Sequence, residues 1–310
     1  MRVFLFLKQG LLDLAKEEAE SLAESVEDHG AFVIAEFKDT SFERLVLTRF
    51  AGELIDEVSS ADEFEYECDS FAVRCTSMGK ASASKTERDF GSRIKGIVDL
   101  ENPGTIIRVF AAEETFFVTK QLFEYSEKEF LCRRVNARPY HHPTSLQPWW
   151  GRLLLNLSGV KDGTVLDPFC GAGGIILEAG MLGIKGVGVD KDESVVEGAR
   201  ENLWFFHADE CVIEHADFLE WEGNKFDAIV TDLPYGRSSQ LFGEELHGLY
   251  SKAFEKMLTH SKKAVVMGPE DLSELLEESG WRVASVFDFY VHKSLRRWIH
   301  VCERIKSLKE

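Results

Sequence analysis

No two of the six cysteines, Cys68, Cys75, Cys132, Cys170, Cys211 and Cys302, stand in a C-x-x-C spacing, so neither a zinc ribbon nor a disulfide scaffold is in prospect. The nine histidines show no metal-ligand spacing, and no bound metal is expected. No stretch approaches the ~18 clean apolar residues of a membrane span. The opening MRVFLFLKQGLLDLAKEEAE turns acidic after a short apolar run and lacks a signal peptide's cleavage region. A soluble, cytoplasmic protein with no membrane partner is expected. Positive charge is in deficit: 36 Lys and Arg face 54 Asp and Glu, a net charge of −18. That disfavours a nonspecific nucleic-acid coat, which is basic.

What is present is an ordinary globular composition, 44% apolar and 29% charged. At about 150 residues per domain the 310 residues suggest roughly two domains. The first 130 residues mix strand-like runs with acidic helical stretches. Arg2–Leu7, Ala31–Phe37, Arg44–Phe50 and Phe71–Cys75 read as strands. Leu11–Val26 and Ser84–Ile97 read as helices, and Thr105–Phe110 with Thr115–Lys120 as a hairpin. This α+β region carries no motif for covalent chemistry.

From Thr164 the pattern repeats strand, loop and helix. Seven strands are expected, near Thr164–Leu166, Gly186–Val189, Val212–Glu214, Phe226–Thr231, Lys263–Met267, Val283–Phe289 and Arg297–Cys302. They make a doubly wound sheet. Its last two strands leave no room for a crossover helix and should pair antiparallel at the sheet edge.

Basic residues gather in three segments of this acidic chain. The first holds Arg74, Lys80, Lys85, Arg88 and Arg93. The second, Leu131 to Lys161, holds Arg133, Arg134 and Arg138 and has no acidic residue. The third holds Lys293, Arg296 and Arg297. Such segments suit an anionic polymer, because phosphate contacts position without specifying sequence.

The chemistry concentrates at strand ends, where open α/β sheets bind ligands. Asp167-Pro168-Phe169-Cys170-Gly171-Ala172-Gly173 follows the first strand of the repeating region. The spacing breaks the G-x-G-x-x-G fingerprint of nicotinamide enzymes, and Asp167 suits an ammonium better than a pyrophosphate. Asp190 ends the next strand, the place for an acid that holds ribose hydroxyls. Asp217 follows the third strand and can meet an adenine amine, with Phe218 against the ring. Asp232-Leu233-Pro234-Tyr235 ends the fourth. There a carboxylate and a backbone carbonyl, of Leu233 or Pro234, can accept two N–H groups of a planar amine while the aromatic stacks on its base. Cys170 reads as a small packing residue rather than a nucleophile, and Trp149-Trp150 as helix packing.

These residues resemble the class I S-adenosylmethionine-dependent methyltransferases, in their amino-methylating branch. The resemblance implies that Asp167, Pro168, Phe169, Cys170, Gly171 and Gly173 hold the cofactor's methionine part, Asp190 its ribose, and Asp217 with Phe218 its adenine. It places the target amine at Asp232, Pro234 and Tyr235. Leu233 departs from the family's Asp/Asn-Pro-Pro-aromatic pattern and favours RNA guanine over DNA adenine.

Phe71-Ala72-Val73-Arg74, Thr86-Glu87-Arg88-Asp89-Phe90-Gly91 and Val98-Asp99-Leu100-Glu101-Asn102-Pro103 resemble the THUMP RNA-binding domain. Arg138-Pro139-Tyr140-His141-His142-Pro143-Thr144-Ser145-Leu146 and Val291-His292-Lys293-Ser294-Leu295-Arg296-Arg297 resemble stretches of the same enzymes, which implies that His142, Pro143 and Thr144 line the methionine end. Together they resemble the THUMP-containing tRNA guanine-N2-methyltransferase family, in its form acting at guanosine 10. The implied fold is a seven-stranded Rossmann-like sheet behind a ferredoxin-like and THUMP region. The implied organisation is a ferredoxin-like domain over 1–60, THUMP over 61–130, a linker over 131–160 and the catalytic domain over 161–310. The implied partner is tRNA and not DNA, with Arg237 and the basic segments above on the RNA. A monomer that needs no partner protein is expected. Guanosine 6 of tRNA, an rRNA guanosine, or RNA binding without catalysis are the alternatives; DNA adenine and protein glutamine methylation fit less well.

Overall fold

The computed structural model describes residues 1–79, 81–142, 145–235, 244–292 and 295–305. Two compact units divide the chain, Met1–Ser126 and Glu127–Glu310.

The first unit is built on one eight-stranded sheet. Its elements are β1 (Arg2–Leu7), α1 (Leu12–Leu22), β2 (Ser25–Asp28), β3 (Phe32–Glu36), β4 (Thr48–Val58), β5 (Tyr66–Ser77), α2 (Ala83–Gly91), β6 (Ile94–Val98), β7 (Thr105–Ala112) and β8 (Thr115–Glu124). The strand order is β2-β3-β1-β4-β8-β7-β5-β6. The expected hairpin is β7 with β8, paired antiparallel from Ala112↔Thr115 to Ile107↔Lys120. Pairing of β4 with β8 joins residues 1–60 and 61–126 into a continuous sheet. Alternation along the strands buries Phe4, Phe32, Phe50, Phe110 and Phe117 in one apolar cluster and Phe71 and Ile107 in another, which Phe64 of a loop and Phe90 of α2 complete.

Two expected helices are shorter. The first ends at Leu22, and Val26 lies in β2 opposite Ala35. The second ends at Gly91, and the β-branched Ile94, Ile97 and Val98 form β6. A Cβ at Gly96 would sit 2.3 Å from the Cys68 carbonyl oxygen, so glycine permits the close approach of β6 to β5. The strand expected at Arg44–Phe50 starts later, at Thr48, and runs to Val58.

The second unit comprises α3 (Lys128–Leu131), α4 (Pro148–Leu157), β9 (Thr164–Asp167), α5 (Gly174–Met181), β10 (Lys185–Asp190), α6 (Glu193–Phe205), β11 (Cys211–His215), β12 (Ala228–Asp232), α7 (Glu244–His260), β13 (Lys263–Gly268), α8 (Ser273–Glu278), β14 (Trp281–His292) and β15 (Leu295–Arg304). All seven expected strands form, in the order β11-β10-β9-β12-β13-β15-β14. The first five are parallel; β15 runs antiparallel to β13 and to the edge strand β14, as expected for the final hairpin. This is the Rossmann-like α/β architecture. Among the described residues no helix is long and apolar enough to cross a membrane.

Residues 131–160, read as a linker, belong to this unit. α4 buries Trp150, Leu153, Leu154, Leu155 and Leu157. Tyr140 is tied to α6: Asn202 Nδ2 donates to its carbonyl at 2.9 Å, and its N–H donates to Asn202 Oδ1 at 3.0 Å.

Candidate active site

Strand order decides the site. β11, β10, β9 and β12 are neighbours, so the acids at or just beyond their carboxyl ends, Asp217, Asp190, Asp167 and Asp232, stand in sequence along one edge. All four line a single cavity of about 310 Å³. Pro168, Phe169, Cys170, Gly171, Phe218, Leu233, Pro234, Tyr235 and His142 line it too. Pro143, Thr144 and Arg237 lie outside the described residues, as do Lys80 and Lys293.

The loop after β9 is shaped by its glycines. Gly171 and Gly173 adopt φ of +50° and +76°, which side chains rarely tolerate. Gly173 does not line the cavity; it caps α5, and a Cβ there would lie 3.2 Å from Ala199 Cβ. A Cβ on Gly171 would meet no protein atom within 4 Å. The Gly171 N–H donates to Asp190 Oδ2 at 2.8 Å and the Asp192 N–H to Oδ1 at 3.0 Å. Each carboxylate oxygen keeps a second lone pair for a diol.

Asp167 is buried. It accepts from Thr231 Oγ1 at 2.7 Å and from the Phe169 N–H at 3.2 Å. Burial outweighs these bonds, and with the charges of Asp232 and Asp190 it pushes the carboxyl up to about 8. Such a group gains most from a cationic partner. Cys170 is buried among Ile176, Val196 and Ile213, and burial pushes its thiol well up, so it packs the loop and is no thiolate nucleophile. Asp217 is exposed and accepts from the Leu219 N–H at 2.9 Å. Phe218 lines the cavity while sitting in the core beside Trp221 and Phe254.

At β12 the chain is held from two sides. The Leu233 N–H donates to the Met267 carbonyl at 2.9 Å, and the Tyr250 hydroxyl to the Pro234 carbonyl at 2.5 Å. Tyr235 donates to Asp232 Oδ1 at 2.5 Å. Burial pushes Asp232 up to about 6, against the lowering effect of the Arg297 charge and the Tyr235 hydrogen bond. Arg297 sits half-buried with its guanidinium 5.2 Å over the Trp150 ring, which also stacks on Trp149 and meets Phe289 edge-on.

Tyr250, Thr231 and Asn202 were not singled out by sequence. Tyr250 shares a buried stripe of α7 with Phe254 and Met257, so only its hydroxyl, which requires a partner when buried, could have signalled a second role.

Two expected RNA ligands are corrected. Arg133 and Arg138 are buried, at 6% and 3% exposure. Arg133 makes two bonds to the fully buried Glu178, Nε–Oε1 at 2.8 Å and Nη2–Oε2 at 3.2 Å, and Arg152 joins the same carboxylate at 3.2 Å. Arg138 donates to the Arg133 and Leu146 carbonyls. These guanidinium groups are not available to phosphate, because buried carboxylate and carbonyl oxygens already hold them. Arg134 and Arg296 are exposed and pair with Glu127 and Asp288. In the first unit Lys85, Arg88 and Arg93 are exposed, Arg93 beside Asp62, while Arg74 donates to the Val73 and Leu100 carbonyls.

The site's donors fit an S-adenosylmethionine-type ligand: a glycine turn with open space above it, a buried acid, and two further acids at successive strand ends. Asp167, Asp190 and Asp217 would hold its ammonium, ribose and adenine. Residues 135–297 match the family UPF0020, RMKL-like, methyltransferase domain. The chain is 37% identical over 269 residues to the tRNA (guanine(10)-N2)-dimethyltransferase of Methanothermobacter thermautotrophicus, covering 82% of this chain and 79% of that one. It is 25% identical over 346 residues to the tRNA (guanine(6)-N2)-methyltransferase of Archaeoglobus fulgidus, covering 90% and 86%. The structure of TrmN from Thermus thermophilus superposes with a TM-score of 0.52 at 21% identity, over 98% of this chain and 99% of that one, and shares the fold. With a family model across more than half its length and a relative at this identity, the chain belongs to the UPF0020 family of RMKL-like methyltransferases.

Proposed function

We propose that this protein transfers a methyl group from S-adenosyl-L-methionine to the exocyclic N2 of a guanosine in tRNA, at guanosine 10, giving N2-methylguanosine and, on a second turnover, N2,N2-dimethylguanosine. The observation that carries the reading is the single cavity lined by both the three cofactor acids and the Asp232-to-Tyr235 motif. The 37% identity to a tRNA (guanine(10)-N2)-dimethyltransferase supports this choice of base and position.

When bound, the cofactor supplies an electrophilic methyl on a sulfonium. The guanine amine is a weak nucleophile, because its lone pair is delocalised into the ring. Asp232 accepts one amine N–H and a neighbouring carbonyl accepts the other, which turns the lone pair out of the ring plane. Tyr235 covers the base. Positioning and preorganised acceptors supply the rate, and Asp232 takes up the released proton. A base in a tRNA stem junction must leave its stack to reach a cavity of this kind. The exposed Arg134 and Arg296 are suited to the backbone beside it.

The test is methyl transfer from labelled S-adenosylmethionine to an unmodified tRNA transcript, beside a copy with guanosine 10 replaced by adenosine. N2-methylated guanosine in the first alone supports the assignment. Equal methylation of both moves the target to another guanosine, with guanosine 6 next, as in the Archaeoglobus fulgidus relative. No transfer to either rejects tRNA as the substrate.

A further inference from the structure

The open question at the amine station is which backbone carbonyl joins Asp232. Register answers it. In the parallel pair of β12 and β13, Asp232 lies opposite Met267, and the Leu233 N–H bonds to the Met267 carbonyl. The next rung of a parallel ladder would run from the N–H of residue 269 to the carbonyl of Leu233. Residue 269 is proline and has no N–H. Among the described residues no hydrogen bond reaches the Leu233 carbonyl. The strands have not yet parted at this level. The Leu233 N–H still bonds across to β13, and a Cβ on Gly268 would lie 3.7 Å from Leu233 Cδ1. The neighbouring Pro234 carbonyl, by contrast, is taken by Tyr250.

We propose that Pro269 is a positioning residue for the methyl acceptor: by withholding an N–H from the ladder it leaves the Leu233 carbonyl open beside Asp232 to receive the second amine hydrogen. This rests on the reading of the Asp232 motif as the amine station. Pro269 touches neither substrate nor cofactor; it acts through Leu233. A residue whose only task was to end β13 would act on stability instead.

Pro269→Ala and Pro269→Gly both restore the N–H, with different backbone freedom. Each is compared with the parent enzyme for melting temperature, S-adenosylhomocysteine affinity, KM for the tRNA transcript and kcat, and the new amide is followed by hydrogen exchange. The expected result is a protected amide at 269, a melting temperature within a few degrees of the parent's, analogue affinity and KM within about twofold, and kcat reduced roughly ten- to hundredfold. Parental kcat in either variant with intact analogue binding overturns the proposal. So does joint loss of melting temperature, analogue binding and kcat in both variants, which would make Pro269 a structural strand terminator. Asp232→Ala, run in parallel, separates the two levels. If it too retains activity, the amine-station reading itself fails; if it is dead while Pro269→Ala is fully active, only the role of Pro269 falls.

Discussion

The Tyr235 hydroxyl donates a 2.5 Å hydrogen bond to Asp232 Oδ1, so the aromatic and the acid of the proposed amine station are linked directly. In the proposed reaction a guanine amine shares that carboxylate with Tyr235. Tyr235→Phe keeps a ring for stacking and removes the donor to Oδ1. It also removes an interaction that lowers the Asp232 carboxyl, which burial holds at about 6. The acid limb of kcat, measured at saturating cofactor, is therefore expected to move to higher pH in Tyr235→Phe, with kcat on the plateau equal to or above the parent's. Tyr235→Ala is expected to lose plateau kcat and raise KM for tRNA as well. An unmoved limb in the Phe variant would sever Tyr235 from the titration of Asp232.

Arg297 belongs to the same electrostatic group, although its charge reads in sequence as one more RNA contact. Among the groups acting on Asp232, its positive charge is the largest one opposing burial. Arg297→Gln removes it. Protonation is then favoured at higher pH, so the acid limb of kcat moves upward from about 6 while S-adenosylhomocysteine affinity stays near the parent value. A pH–rate profile of the variant checks this. If the limb stays in place and only KM for tRNA rises with a shallower salt dependence, Arg297 is a phosphate contact instead.

Glu178 is fully buried and holds both Arg133 and Arg152. Glu178→Gln keeps the volume but leaves the two buried guanidinium groups with only the exposed Glu129 as counter-charge, a loss of about 3 kcal/mol. All six tryptophans lie between residues 149 and 298, inside the second unit, so denaturant unfolding followed by tryptophan fluorescence reads that unit directly. A change below about 1 kcal/mol would show that the cluster tolerates loss of its carboxylate.

Legibility of the chain divides along the distance between interacting residues. The placement of the acids at strand ends and of the glycine turn of residues 171–173 could be read because it is local: a strand, then the residue that must follow it. Arg133 and Arg138 could not, because a count of charge does not distinguish a solvated face from a buried cluster whose carboxylate lies 45 residues on, as Glu178 does from Arg133. The strand β6 was hidden because its β-branched residues continue directly from a helical stretch, and only pairing with β5 decides their state. The role of Tyr250 depends on α7 returning beneath Pro234, which no spacing announces.

Asp167 gives the last prediction its sign. Its folded carboxyl titrates at about 8, against an ordinary value of 3.8. In the ligand-free protein it therefore holds a proton that the unfolded chain has released, and its contribution to stability falls as pH rises from about 4 to about 8. A cationic ammonium beside it favours the ionised form and draws the titration down. Binding near pH 7 is then accompanied by proton release, and affinity for S-adenosylhomocysteine strengthens as pH rises toward 8. Calorimetry in buffers of different ionisation enthalpy measures the released proton directly. Asp167→Asn is expected to abolish the release, weaken binding by tenfold or more, and flatten the fall of ligand-free stability over the same range. Equal proton release from parent and variant would assign the titration to another group and remove Asp167 from the ammonium site.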